Sequence, residues 1–414
     1  MPDMPATTAA PSTSSAEELF VSILLGGEGA EPYDAYHRLR AAAPVLRTQG
    51  GVLVLTTHAD CDVALRHRGL GKAQDPLAAR VAGGMADEHT RRALAWMRRS
   101  MLFSNPPDHT RLRRLVSSAF TARHVEELED AICSRADVLL DRLAAQPGAD
   151  FMSVVALPLP VNVIADLLGV PDADTHSFTP LIHDVTALLE PLVSAEALAR
   201  AVAAQAELSG YFGGLLASKR RRPAADLLSR LAAGRADDKL DDEEMIAAAI
   251  LLFGAGFETT SNLLGNGLRA LLENPGQLSL LREWPELIPA AVEEMLRFDS
   301  PIQLDGRTAV EPAVVAGSDL RAGQVVVMLL GAANRDPSRF SEPDRFDVTR
   351  DEGPHLAFAA GIHFCLGAHL ARLEAAVTFT RLLSRFSRIE LAGQPQPRSG
   401  LNPRGLARLP VTVG

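Results

Sequence analysis

The chain has 414 residues, a net charge of −10 and an isoelectric point near 5.6. That acidity excludes a typical nucleic-acid-binding protein, because such proteins present a basic surface to the phosphate backbone. Hydrophobic residues make up 47% and charged residues 22% of the chain, which is typical of a globular protein.

The three cysteines are Cys61, Cys133 and Cys365, and no two of them form a C-x-x-C pair. The pattern therefore indicates neither a zinc site nor an iron–sulfur cluster. Scattered cysteines without a disulfide framework are typical of a reducing compartment, so we predict a cytoplasmic location.

The first sixteen residues are small, polar and proline-rich, and they lack the basic and apolar regions of a signal peptide. We predict a disordered tail over residues 1–16 and, because no linker interrupts the interior, a single domain over residues 17–414. The longest apolar run, Met245 to Gly256, is shorter than the ~18 residues of a membrane span and predicts a buried helix. The sequence therefore predicts no contact with a membrane.

Helical patterns dominate the first half of the chain. Between residues 33 and 70, two of them flank a pair of Val/Leu-rich strands joined by the hairpin signal Gly50-Gly51. Residues 71–104 show no clean periodicity and predict a surface loop. Residues 126–220 predict successive amphipathic helices.

The segment from Asn105 to Arg114 predicts the start of a helix. A Pro-Pro pair ends the preceding structure, and Asp108 can cap the helix that follows. His109 and Arg113 are four residues apart, so they share one face of that helix. Two donor groups on one face suit a carboxylate partner, whereas the alternative is a solvated basic face.

Residues 243–273 form one long helical pattern, whose centre contains two glycines followed by Glu258 and Thr259. Glycine inside a helix costs about 1 kcal/mol relative to alanine, so its presence needs a reason. Because an acid and a hydroxyl stand in an otherwise apolar stretch, the pattern predicts a helix that is locally opened to admit a ligand. The alternative is a helix crossing that merely requires small residues.

The decapeptide from Phe358 to Gly367 holds Cys365 in a glycine-framed loop just before another helical pattern. The positive end of that helix dipole is expected to favour the thiolate. Gly361 and Gly367 are expected to let the backbone pass close to a flat object. A thiolate with one open side suits a haem iron, whereas the alternative is a buried structural cysteine.

These motifs resemble those of the cytochrome P450 family. The loop matches the family pattern Phe-x-x-Gly-x-His-x-Cys-x-Gly, and the His109 and Glu258 segments match its His-x-x-x-Arg and Ala-Gly-x-Asp/Glu-Thr elements. The resemblance covers the chain from about residue 30 to the end, with five motifs in family order. It implies a mainly α, single-domain triangular-prism fold of about a dozen helices with a minor β portion, of the soluble bacterial type.

The resemblance also implies roles for individual residues. Cys365 is expected to bind the iron of haem b, and Thr259 and Glu258 are expected to hold the oxygen and supply protons. The other expected haem contacts are His109, Arg113, Arg307, His363, Ala255, Gly256, Phe358 and Gly367. The expected substrate-pocket residues are Phe253, Phe257, Ile302, Leu304, Asn402 and Pro403. The expected structural residues are a buried triad of Glu294, Arg297 and Arg345.

The implied reaction inserts one atom of dioxygen, by hydroxylation or epoxidation, into a hydrophobic small molecule. Family breadth suggests a secondary metabolite such as a polyketide or macrolide. Electrons are expected from a ferredoxin and its reductase, because the chain has no flavin or NAD motif, and a monomer is expected. The alternatives are a peroxide-using haem-thiolate enzyme, a non-enzymatic haem sensor and an all-α binding protein without a cofactor. Retention of the acid and the hydroxyl argues against the first two, and the cysteine loop against the third.

Three arginines near the haem-contacting elements have two possible roles. They are Arg111, Arg114 and Arg372. They are predicted either to steer an acidic electron donor to the cysteine face or to pair with neighbouring acids such as Glu374.

Overall fold

Helices form most of the chain. A computed structural model describes residues 13–26, 31–72, 95–190, 193–233 and 240–414. The α-helices in these ranges are, in chain order, α1 (Thr13–Leu25), α2 (Tyr33–Ala42), α3 (His58–Arg66), α4 (Ala95–Arg99), α5 (Asp108–Ser117), α6 (Ala122–Glu126), α7 (Glu129–Ala144), α8 (Pro158–Leu168), α9 (Asp172–Thr186), α10 (Ala195–Arg221), α11 (Leu227–Ala232), α12 (Asp242–Glu273), α13 (Pro275–Glu283), α14 (Ile288–Phe298), α15 (Leu330–Ala333) and α16 (Ala368–Arg385).

The strands are short and form a minor part of the fold. They are β1 (Val45–Arg47), β2 (Leu53–Leu55), β3 (Leu70–Gly71), β4 (Asp305–Ala309), β5 (Ala313–Val315), β6 (Ser318–Leu320), β7 (Val325–Met328), β8 (Ile389–Leu391), β9 (Gln396–Pro397), β10 (Leu406–Arg408) and β11 (Val411–Val413). The largest sheet has the order β1-β2-β7-β4-β3, with β2 and β7 parallel and the other pairs antiparallel. The predicted hairpin at Gly50-Gly51 is confirmed, because β1 and β2 pair directly on either side of it.

Two predicted segments fall largely outside the described ranges. Residues 1–12 of the predicted tail lie outside these ranges. The prediction of disorder is wrong for residues 13–16, because α1 begins at Thr13 and Ala16 is buried. Most of the predicted loop over residues 71–104 also lies outside the described residues.

Helix α12 is the central element of the core. It has 32 residues, a length of about 48 Å, and it packs against α8, α9, α10, α14 and α16. Its first turn is fixed by a reciprocal capping box between Asp241 and Glu244. By length and composition it could cross a membrane, but 72% of its most apolar window is buried inside the protein, as expected for a core helix.

The glycines of α12 allow close packing with neighbouring helices. A Cβ added at Gly256 would lie 2.9 Å from Ile164 of α8, and one added at Gly254 would lie 3.2 Å from Ile182 of α9. The predicted local opening of this helix is not seen, because α12 is continuous from Asp242 to Glu273. The alternative expectation, a helix crossing that requires small residues, therefore accounts for both glycines.

Candidate active site

The Cys365 loop joins a 3₁₀ turn, Gly361–His363, to the start of α16. The backbone N–H of Cys365 donates to the carbonyl of Phe358 at 3.0 Å, which closes the loop. Gly361 has φ +71°, and a Cβ there would lie 2.5 Å from the carbonyl oxygen of Leu65 in α3. The close approach of α3 therefore requires glycine at this position. Cys365, as a whole residue, is partly exposed in the loop.

The ionisation of Cys365 differs from the prediction made from the helix dipole. Burial raises the pKa of its thiol above the ordinary value, and the Gly367 backbone N–H and the charges of Arg113 and Arg372 offset that rise only in part. The loop alone therefore does not favour the thiolate. A metal cation bound at the sulfur would favour the thiolate, since metal ligation deprotonates a coordinating thiol.

Two histidines lie together next to this loop. The rings of His109 in α5 and His363 in the 3₁₀ turn are 4.3 Å apart between centroids. Both ring nitrogens of His109 and Nε2 of His363 are buried and have no hydrogen-bond partner. Burial and the nearby charge of Arg113 lower the pKa of His109 to about 4. Burial and the nearby positive charges, among them that of Arg307, lower the pKa of His363 to about 2.

Three cations surround this pair, and one carboxylate faces them. Asp305 pairs with Nη1 of Arg307 at 2.6 Å and with Nζ of Lys72 at 2.7 Å. Nη2 of Arg307 is buried and has no hydrogen-bond partner. Arg113 reaches from α5 to the carbonyl of Phe364 in the cysteine loop, at 2.7 Å. Lys72, Arg113 and Arg307 therefore place three positive charges beside the two histidines, and Asp305 pairs with two of them.

This group of residues fits the two propionates of a haem. Buried donors that have no partner among the described residues, set beside cationic side chains, favour acidic acceptors, because carboxylates form short, strong hydrogen bonds with such donors. The predicted propionate ligands His109, Arg113, Arg307 and His363 are all brought together here. Lys72 and Asp305 also belong to the cluster and were not predicted. The predicted cap by Asp108 is wrong, because Asp108 is the first residue of α5 and makes no side-chain cap.

The middle of α12 exposes one turn in an otherwise buried helix. Ala255 is exposed and Gly256 and Thr259 are partly exposed, so this turn borders open space. The hydroxyl of Thr259 donates to the carbonyl of Ala255 at 2.9 Å. These residues are placed as predicted, on the side of the helix where a ligand can reach them.

Phe253 and Phe257 do not line that space, and their prediction as pocket residues is wrong. Their side chains are 0% and 2% exposed. They pack edge to face against each other, with ring centroids 6.0 Å apart, and Phe253 also contacts Phe178 and Phe212. Both rings belong to the hydrophobic core between α9, α10 and α12.

Glu258 is buried beside the exposed turn and has two partners from distant parts of the chain. Its Oε1 accepts a hydrogen bond from Nη2 of Arg398 at 2.7 Å and lies 3.1 Å from Nδ1 of His183. Burial alone would raise the pKa of this carboxyl, but the hydrogen bond with His183 and the charge of Arg398 hold it below its ordinary value. The acid is therefore ionised at neutral pH. Neither partner was predicted.

The segment before β4 presents apolar side chains. Ile302 and Leu304 are half-buried, while Gln303 between them is fully buried. The Gln303 side chain bonds to Ser300, Tyr33 and Tyr36, so it fixes the segment in place. Successive residues of an extended segment point to opposite sides, which leaves Ile302 and Leu304 on the side away from this anchor.

Asn402 and Pro403 are buried, and their prediction as substrate contacts at a turn tip is wrong. Oδ1 of Asn402 accepts the backbone N–H of Gln303 at 3.0 Å, and its own N–H donates to Glu190. The turn therefore supports the pocket segment from behind.

The predicted acid–base triad exists, but with a different third member. Glu294 and Arg297 pair at 2.6 Å and are 1% and 2% exposed. The second guanidinium on Glu294 belongs to Arg350, at 3.2 Å and 8% exposed. Arg345 is 57% exposed and pairs with Glu342 and Asp347, so its assignment to the triad is wrong. Only its carbonyl takes part, as an acceptor for Arg297.

Two of the arginines proposed to steer an electron donor have internal partners. Arg111 pairs with Glu244 of the α12 capping box. Arg372 pairs with Glu293 at 2.6 Å and lies over the ring of Phe358, with 4.6 Å between the guanidinium carbon and the ring centroid. Glu374, the partner suggested from sequence, is buried elsewhere in α16. Arg111 and Arg372 therefore pair with acids, which was the second role predicted from sequence, but the acids are Glu244 and Glu293 and not Glu374.

A family model described as Cytochrome P450 matches residues 78–283 and 285–413 of the chain. The chain is a cytochrome P450. It is similar to the vitamin D(3) 25-hydroxylase of Pseudonocardia autotrophica, with 42% identity over 92% of this chain and 94% of that protein. It is also similar to the cytochrome P450 monooxygenase PikC of Streptomyces venezuelae, with 40% identity over 92% and 91% of the two chains.

A solved structure gives the same fold. P450BioI in complex with an acyl carrier protein that carries hexadec-9Z-enoic acid superposes with a TM-score of 0.87, at 37% identity over 93% of this chain and 99% of that one. The mainly α P450 fold, the haem b cofactor and the oxidoreductase class predicted from sequence are therefore confirmed. Like its relatives, this P450 is a monooxygenase of the bacterial type.

Replacing His109 by leucine is expected to weaken haem retention about 10- to 100-fold, because a hydrogen bond to a charged group contributes roughly 1.5–3 kcal/mol. The rate of haem transfer to an excess of a haem-acceptor protein measures this change. The control is His124→Leu, since His124 lies in α6 and bonds to Glu127 and Arg230. Equal transfer rates in the wild type and in His109→Leu would remove His109 from the propionate site.

The contact of Glu293 with Arg372 and His355 is expected to make stability depend on acid pH. Burial raises the pKa of this carboxyl, but the hydrogen bonds from Arg372 and the closeness of His355, whose Nε2 lies 3.3 Å away, outweigh that effect and lower the pKa to about 2. Its contribution is therefore fully present above pH ~4.5 and is lost as the pH falls toward 2. Because the side chain is 42% exposed, we expect only about 1 kcal/mol. Urea unfolding of wild type and Glu293→Gln should differ by this amount at pH 7, and the difference should shrink below pH ~4.5 and vanish near pH 2.

Proposed function

We propose that this P450 binds haem b between the exposed turn of α12 and the Cys365 loop, with Cys365 as the axial ligand. The orphaned cationic cluster supports this placement, because it lies against the cysteine loop and requires two carboxylates. When bound, the haem supplies the redox chemistry that splits dioxygen, and a thiolate ligand favours O–O cleavage.

We propose that Thr259 and Glu258 manage the protons of this reaction. The observation that carries the proposal is their position at the exposed turn in the middle of α12, with an ionised carboxylate directly before a hydroxyl that borders the open space. Glu258 takes up a proton at its carboxylate, and the Thr259 hydroxyl, whose own proton is donated to the carbonyl of Ala255, accepts a hydrogen bond from the cavity side. Such acid–base groups typically contribute ~10²–10⁴-fold to a rate.

The proposed substrate is a hydrophobic small molecule of the secondary-metabolite type, such as a polyketide or macrolide, which is hydroxylated or epoxidised. Ile302 and Leu304 support an apolar ligand, because they are half-buried beside a rigidly anchored residue. A relative is named a vitamin D(3) hydroxylase, and the similar structure holds a fatty acid on a carrier protein. Pockets for such ligands are mainly apolar, with few polar groups.

The proposed electron source is a ferredoxin with its reductase, acting on a monomeric enzyme in the cytoplasm. The donor is expected at the cysteine loop, where Ile362 and Phe364 are 50% and 40% exposed next to Cys365. Because Arg111 and Arg372 are paired with acids, we expect these two residues to contribute little to electrostatic steering.

The test of the proton assignment uses two variants. Thr259→Ala is expected to bind haem and substrate normally but to release reducing equivalents as hydrogen peroxide. Glu258→Gln is expected to slow ferredoxin-supported turnover about 10²-fold, because an amide cannot take up and release a proton as a carboxylate does. Measuring NADPH oxidation, peroxide and product together gives the coupling efficiency of each variant.

Thr260→Ala is the matched control, since its hydroxyl bonds to the helix in the same way but the residue is buried. Wild-type coupling in both test variants would contradict the assignment. In the unmutated protein, product formed only with added peroxide would favour a peroxide-using enzyme, and no product by either route would favour a haem sensor.

A further inference from the structure

The buried carboxylate of Glu258 is connected to water through one side chain. Its own side chain is 4% exposed, whereas that of His183, on α9, is 58% exposed. Arg398, its other partner, remains protonated in proteins and cannot exchange a proton. Among the described residues that bond to this carboxylate, His183 is therefore the one that can both gain and lose a proton.

The position of Nδ1 of His183 satisfies both of its protonation states. It lies 3.1 Å from Oε1 of Glu258, which accepts, and 2.9 Å from Nη2 of Arg398, which donates. With a proton, Nδ1 donates to the carboxylate. Without a proton, its lone pair accepts from the guanidinium. The ring thus needs no movement when the Nδ1 proton leaves.

We infer that His183 acts through Glu258, as the group by which this buried carboxylate takes up protons from water during turnover, while Arg398 holds both partners in place. The inference rests on the proposed role of Glu258 and extends it. His183 is a positioning residue in this scheme, because its contacts are with the acid and the arginine.

The proton balance of the step is simple. A hydronium ion gives a proton to Nε2 and becomes water, the Nδ1–H bond breaks, and that proton forms an O–H bond at Oε1 of Glu258. The carboxylate becomes a carboxylic acid, and the ring remains neutral as its Nε2–H tautomer. The exposed ring then exchanges protons with water and returns to its starting tautomer.

The other charged groups near this cluster do not offer a second route. Glu190 accepts the backbone N–H groups of Leu401 and Asn402, and Asp184 bonds to Arg200 on α10. The hydroxyl of Thr186, on the same helix, donates to the carbonyl of His183 and also lies close enough to Glu258 to help lower the pKa of that carboxyl. Oε2 of Glu258 has no hydrogen-bond partner among the described residues.

The first test separates proton transfer from hydrogen bonding. His183→Asn places an amide N–H near the position of the Nδ1–H group but cannot titrate, and His183→Ala removes both functions. We expect both variants to lose about tenfold in ferredoxin-supported turnover, to lose the pH dependence of that turnover and to show a larger solvent isotope effect. His37→Gln is the control, because His37 bonds to Asp344, a carboxylate that also pairs with an arginine, far from α12 in sequence. Wild-type turnover and pH profile in His183→Asn would overturn the inference.

The second test does not use turnover. Nitrogen NMR of the ¹⁵N-labelled histidine rings, in the reduced carbon monoxide complex, reports the tautomer of His183. We expect both tautomers in the wild type and mainly the Nδ1–H form in Arg398→Met, since the unprotonated Nδ1 then lacks a donor. Identical tautomer populations in the two proteins would overturn the inference. Wild-type coupling in Glu258→Gln with the expected tautomer response would overturn it through its premise, the role of Glu258.

Discussion

Replacing Cys365 by serine is expected to abolish the absorption band that a thiolate-bound haem shows when the reduced protein binds carbon monoxide. Cys365 lies directly before the start of α16, and no other sulfur lies within its loop. A serine hydroxyl is a poor ligand for iron and cannot supply the electron density of a sulfur. We expect monooxygenase turnover to be lost entirely, although the propionate ligands can still retain some haem.

Cys61→Ser and Cys133→Ser are the matched controls for this variant. Cys61 is fully buried and its thiol donates to the carbonyl of Leu55, whereas Cys133 lies on α7. Both should keep the band at full intensity for each haem bound. Loss of the band in either control, or its persistence in Cys365→Ser, would show that the axial ligand is elsewhere.

Short-range patterns predicted the site best, because local geometry fixes them. The four-residue spacing of His109 and Arg113 places both on the side of α5 that meets the cysteine loop. The same rule could have corrected one error. Ala255 and Thr259 are four residues apart and share a face, whereas Phe253 and Phe257 occupy another face of α12.

Contacts between distant segments could not be predicted from one sequence. The partners of Glu258 lie 75 and 140 residues away, and neither belongs to a motif. The ionisation of Cys365 was wrongly predicted for a related reason, since burial by the whole fold outweighs the local helix dipole. Spacing thus predicts which residues share an element, and packing determines their partners.

The identity of the third member of the Glu294 triad leads to the second large prediction. Arg350→Met is expected to lower the free energy of unfolding by about 3 kcal/mol, because hydrogen bonds to charged groups contribute roughly 1.5–3 kcal/mol and the change removes those of Arg350 to Glu294 and Glu352. Arg350 also donates to the carbonyl of Ser341 and pairs with Glu352, both at 2.7 Å. Without Arg350, the segment that carries Ser341 and Glu352 loses these contacts. Urea unfolding of the haem protein measures the resulting fall in the free energy of unfolding.

Arg345→Met is the matched control, because it removes the same charge five residues earlier from an exposed pair, which contributes roughly 0–1 kcal/mol. The triad also leads to the cysteine loop: Arg297 donates to the carbonyl of Asn334, whose side chain accepts the N–H of Leu356 at 2.7 Å. Arg350→Met should therefore also weaken haem retention, while Arg345→Met should not. If Arg345→Met were the more damaging change, the exposed arginine would be the structural one, and the contacts of Arg350 with Glu294 would contribute nothing measurable.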